Sequence, residues 1–141
     1  MNDADFEEQK ARIQVLEKRW YEPLGLAAWR LNTVFVRSDF TCNGEPAPDM
    51  LAATKTDAEY MLATVSWNMP GVLDHGDREL ERIFLHEMMH VMVNEMHPAR
   101  QQTDINKALE AEDRWHEEHV CTMLGNAFLW TREAVLAEKA K

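Results

Sequence analysis

Near the start of the chain, apolar residues recur at helical spacing between charged ones: Phe6, Ile13, Leu16 and Trp20. This pattern predicts an amphipathic helix from Asp3 to about Trp20. Pro23 and Gly25 end it. The spacing then changes. Leu31, Val34, Phe35 and Val36 predict a strand from about Trp29 to Ser38, rich in β-branched and aromatic side chains. Residues 41–57 contain Gly44, Pro46 and Pro48 and read as loop, with one helical turn near Met50 to Ala53. Tyr60, Leu62, Val65 and Trp67 predict a second strand from about Glu59 to Trp67, closed by Pro70 and Gly71. A helix follows from Arg78 to Met96. Asp77 is its N-cap candidate, and Glu79 and Glu81 sit in the first turn, where the helix dipole favours anions. Between Ile83 and Val93 it is apolar almost all round, so it should be buried on several sides. From Thr103 to about Lys139 the pattern is helical again, with a break expected at Gly125 or near Asp113.

The order is helix, strand, loop, strand, buried helix, C-terminal helix. It predicts an α+β fold: a small antiparallel sheet on one side of a central helix, with the last helix on the other. At 141 residues the chain is one domain long and can bury a core without disulfide staples. Residues 1–22 form an N-terminal helix and residues 26–128 the core of that single domain, 1–141.

Composition narrows the function classes. A net charge of −10 with no basic run argues against nucleic acid and against an anionic membrane surface. No stretch is apolar enough to span a bilayer. The first residues are acidic and charged, unlike a secretory leader, so a cytoplasmic location is expected. Cys42 and Cys121 are then expected to be free thiols.

The central helix carries His86-Glu87-Met88-Met89-His90, an H-E-x-x-H motif. Four residues of helix rise about 6 Å and turn about 40°, so both imidazoles project from one face and can converge on one ion. Zinc suits nitrogen and oxygen donors in a tetrahedral site. Glu87 is turned about 100° from His86, so it can reach a water on the metal instead of ligating the metal itself. It would act as general base on that water and pass the proton to a leaving amine. Chance gives this motif roughly 0.03 times per shuffled sequence, and two histidines and a glutamate inside an apolar helix are costly unless paired or liganded.

A third protein ligand is required. Val93 and Met96 stand where the metzincin pattern needs glycine and histidine, so that pattern fails. His97 follows one residue late, beside Pro98. The later segment ALEAEDRWHEEHVCTMLGNAF supplies carboxylates. With its apolar face set by Val120, Cys121, Leu124, Ala127 and Phe128, Glu117 lies on the packing side and is the expected third ligand. Glu118 replaces it if the helix is rotated, and Asp113 is a further alternative. Glu110 reads as solvated. Asp113 can also accept a hydrogen bond from a ligating histidine. The methionines of the motif helix read as core filler, and the tryptophans as core anchors.

With these residues the chain resembles the zincin metallopeptidases. Within them it resembles the gluzincin arrangement, in which the motif is followed by a downstream glutamate. It looks most like the small single-domain zincins of bacterial and phage genomes. The resemblance spans about Leu26 to Phe128, but only the five-residue motif is specific. It implies zinc held by His86, His90 and Glu117, with Glu87 as catalytic base and a peptide or protein as substrate. It also implies a donor to the developing oxyanion, for which His116 is the first candidate and His119 and Tyr60 the others. If the strand from Glu59 to Trp67 is an edge strand, an extended peptide can add to it by main-chain pairing. The chain is much shorter than the larger gluzincins and lacks a second domain to wall a cleft. The competing expectation is therefore a zinc-stabilised interaction or regulatory domain without peptidase turnover.

Overall fold

The computed structural model describes residues 1–57, 59–94 and 107–140, and the side chains of all these except 94 and 107–113. Helix α1 spans Asp3–Trp20. The Asn2 side chain caps it by accepting a hydrogen bond from the Asp5 amide at 2.8 Å. Its buried face is Phe6, Gln9, Ile13, Leu16 and Trp20, the apolar stripe of the sequence with one glutamine added. A 3-10 turn at Leu26–Ala28 leads into strand β1, Arg30–Val36.

The segment read as loop holds most of the differences from expectation. It contains a minimal antiparallel hairpin, β2 (Thr41–Cys42) and β3 (Glu45–Pro46), and then a full strand, β4 (Ala52–Asp57). No helical turn forms at Met50 to Ala53. The sequence of β4, AATKTD, is rich in residues depleted from strands. It is held extended by pairing with β5 (Leu62–Asn68), not by its own preference.

The main sheet has the order β1-β5-β4. The two strands expected to pair antiparallel, β1 and β5, run parallel, while the unexpected β4 pairs antiparallel with β5, so the sheet is mixed and not antiparallel. β5 is therefore the central strand, and the edge facing the chemistry is β4. One face of the sheet carries Leu31, Thr33 and Phe35 of β1, Ala63, Val65 and Trp67 of β5, and Ala52, Thr54 and Thr56 of β4, which are in register. That face packs on helices. Phe35 meets Phe6 edge-on at 6.4 Å, Thr33 bonds Glu17, and Trp67 stacks on Phe84 at 6.3 Å. On the opposite face Arg30, Asn32, Val34 and Lys55 are exposed. This gives the period-two alternation of a sheet covered on one side.

A short turn of helix, α2 (Met69–Val72), leads to α3, Asp77–Asn94. Leu80, Phe84, Leu85, Met88, Met89 and Val91 of α3 are all essentially inaccessible to solvent, as the all-round apolar pattern requires. Met88 and Met89 are core, in agreement with the sequence, Met92 is partly buried against it, and Met96 lies outside the described residues. Helix α4 runs unbroken over Lys107–Lys139; neither Gly125 nor the region of Asp113 interrupts it. Helices α1, α3 and α4 are pinned together by Glu81. Its buried carboxylate accepts hydrogen bonds from Arg19 (2.9 Å), Trp20 Nε1 (2.8 Å) and Arg132 (2.9 Å). The fold is thus α+β, with α3 between the sheet and α4. Among the described residues no helix is long and apolar enough to cross a membrane. Cys42 and Cys121 are free thiols.

Candidate metal centre

Helix α3 presents the motif as its spacing requires. The His86 and His90 rings meet edge-on, and their Nε2 atoms lie 3.1 Å apart. Two donors each about 2.0–2.1 Å from a tetrahedral ion would be separated by about 3.3 Å. The carboxylate of Glu118 approaches the same point, with Oε2 3.1 Å from His86 Nε2 and Oε1 3.5 Å from His90 Nε2. Ligand atoms of His86, His90 and Glu118 all lie within 4.8 Å of one another.

The opposite sides of the two rings are held by α4. Glu117 Oε1 lies 3.0 Å from His90 Nδ1, with Cys121 Sγ at 3.5 Å from the same nitrogen. Thr122 Oγ1 lies 3.2 Å from His86 Nδ1. A carboxylate can only accept, so Glu117 fixes the proton of a neutral His90 on Nδ1 and turns the Nε2 lone pair inward. Where Thr122 likewise accepts from His86 Nδ1, both Nε2 lone pairs and the carboxylate of Glu118 face one point. A cation at that point would draw the three groups together, and two imidazoles with one carboxylate are a donor set that can hold a metal ion.

The geometry thus differs from expectation at the third ligand. Glu118, the alternative, stands at the convergence point. Glu117 stands behind His90. The reason is the phase of α4. Its packing face is Cys121, Gly125 and Leu129, all buried, whereas Val120 and Leu124 are 42% and 39% exposed. Gly125 marks where α4 crosses α3. A Cβ there would lie 3.2 Å from the backbone nitrogen of His86 and 3.4 Å from the carbonyl carbon of Leu85. Glu118 lies about 20° around the helix from Gly125, and Glu117 about 80°. The glycine that looked like a helix break is instead the contact that brings Glu118 over the histidines.

Glu87 is buried at 6% exposure. Its Oε2 accepts a 2.7 Å hydrogen bond from Thr54 Oγ1 on β4. Burial pushes its carboxyl above the ordinary range, against the opposing effect of the Thr54 bond. Burial, and then the neighbouring His90, push the His86 imidazole below its ordinary value, although Glu118 acts the other way. Both directions have a chemical consequence: a neutral imidazole can ligate a metal ion, and a carboxylate whose pKa is raised takes up a proton more readily than an ordinary one.

These groups open onto a cleft of about 540 Å³ between β4 and α4, whose lining includes Asn43, Thr54, Lys55, Glu87 and Arg114. His116 does not line it. That residue is exposed on α4, beside Trp115, whose ring meets it edge-on. His119 stacks on Trp115 instead, at 5.4 Å, and Tyr60 is 72% exposed. The side chains of Asp113 and Glu110, and His97 as a whole, lie outside the described residues. Sequence reasoning missed Thr54, Thr122 and Arg114. Thr122 had a readable signal, since it stands one turn after Glu118 on the same helix face. Thr54 had none, because its strand was not legible. No protein-family model, curated protein or solved structure matches this chain.

Proposed function

We propose that this protein is a zinc-dependent metallopeptidase whose ion is held by His86, His90 and Glu118. The observation that supports this reading most is the convergence of the two Nε2 atoms and the Glu118 carboxylate on one point beside Glu87. Zinc bound there would supply a Lewis acid, lowering the pKa of a water and polarising a peptide carbonyl.

The chain's own residues do the rest. Glu117 and Thr122 orient the two imidazoles from behind. Glu87 takes the proton of the attacking water and delivers it to the leaving nitrogen. Burial favours its protonated form, which eases the first transfer. The substrate main chain would pair with β4, because β5 is enclosed by strands on both sides and β4 is the free edge beside the cleft. A cleft walled by one edge strand and one helix suits an extended peptide.

The variant Glu87→Gln tests the proposal. It keeps the shape and a hydrogen-bonding group but cannot take a proton. Zinc content and melting temperature should match wild type, while peptide hydrolysis falls by about 10³-fold. Hydrolysis undiminished in Glu87→Gln would refute the mechanism. Zinc bound with no hydrolysis by wild type would favour the zinc-stabilised, non-catalytic domain.

A further inference from the structure

We infer that Thr54 is the positioning residue for Glu87, and that through it the edge strand sets the direction of the base. This inference rests on the peptidase reading above. Thr54 lies in the middle of β4, in register with Val65 of the central strand. Its hydroxyl is 2.7 Å from Oε2 of Glu87 and 3.3 Å from the Glu87 main-chain oxygen. A hydroxyl has one proton to give, and the carboxylate is both nearer and the stronger acceptor.

The consequence is directional. A glutamate side chain has three torsions, and on a helix it can place its carboxylate in several ways. Anchoring Oε2 on a stiff, β-branched residue selects one of them. The second oxygen, Oε1, is left to act as the base. Thr54 stands on the strand that a substrate main chain would join, so the register of the substrate and the aim of the base share one support. A misplacement of about 1 Å at such a site can cost about 10²-fold in rate.

Two substitutions separate this role from packing. Thr54→Val keeps the shape and removes the hydroxyl; Thr54→Ser keeps the hydroxyl and removes the methyl. With zinc loaded, Thr54→Val should lower kcat by about 30-fold with KM within about 2-fold. Thr54→Ser should stay within about 3-fold of wild type in both. A valine variant with wild-type kcat, or a serine variant as impaired as valine, would overturn the assignment.

A second readout needs no turnover. In metal-free protein, the melting temperatures of Thr54→Val, Glu87→Ala and the double variant form a cycle. The loss caused by Thr54→Val should largely vanish once Glu87 is alanine. Strictly additive losses would mean that the two side chains do not act on each other, and the inference would fail. If wild type binds zinc but cleaves nothing, the peptidase reading fails and takes the positioning role with it, while the cycle still reports whether the contact exists.

Discussion

At the scale of single residues, the centre is built from groups that each have one task. His86 and His90 point Nε2 inward, Glu118 closes the triangle, and Glu117 and Thr122 hold the rings from behind. Cys121 is a soft donor beside the site, but it lies behind His90 and is fully buried. Burial, followed by the charges of Glu117, Glu118 and Glu87, pushes its thiol from the ordinary 9.0 up to about 12. A raised folded-state pKa favours the neutral form. Its contribution to stability is therefore fully present below pH 9.0 and is lost as pH rises through about 12. At neutral pH Cys121 should be a protonated, unreactive thiol. Peptide mass mapping after iodoacetamide treatment at pH 7.5 should find the half-buried Cys42 labelled and Cys121 unlabelled until denaturant is added. Rapid labelling of Cys121 in folded protein would contradict its placement against His90.

At the scale of elements, the decisive contact is the crossing of α3 and α4 at Gly125. Glycine within a helix costs about 1 kcal/mol relative to alanine, so its presence inside a continuous helix needs a reason. The reason is close approach to the backbone of His86. Backbone cannot move aside as a flexible side chain can. Gly125→Ala should therefore destabilise despite its better helix propensity, by about 1 kcal/mol net once overpacking is set against that gain. Urea unfolding of the metal-free protein measures this, and a stabilised variant would show that the helices do not meet there. The same crossing explains what the sequence could and could not disclose. The motif was legible because four residues of one helix fix their own relative geometry. The carboxylate that meets the two Nε2 atoms was not, because the face a helix buries is chosen by its partner. Val120 and Leu124 drew the apolar face toward Glu117, while a glycine with no hydrophobic signal at all set the true one. Strand β4 was illegible for a related reason: Ala52, Ala53, Lys55 and Asp57 carry no strand preference, and pairing with β5 overrides it.

At the scale of the whole molecule, the α+β layers follow from the sequence pattern, with α1, β1, β5, α3 and α4 near their expected places. The parallel pairing of β1 with β5 was beyond reach, since pairing direction is a property of topology and not of any segment. The fold places Glu87 and the two histidines of one helix, Glu118 of a second and the edge strand β4 around a single cleft. The central claim is that α3 and α4 together hold one ion through Glu118. It is tested most directly by measuring zinc affinity, with a chromophoric chelator in competition, for wild type, Glu118→Gln and Glu117→Gln. The account predicts one zinc per chain in wild type. It predicts a loss of affinity of at least about 100-fold in Glu118→Gln and of about 10-fold in Glu117→Gln, the smaller effect reflecting a group that only orients His90. Wild-type affinity in Glu118→Gln, or a wild-type chain that takes up no zinc, would contradict it.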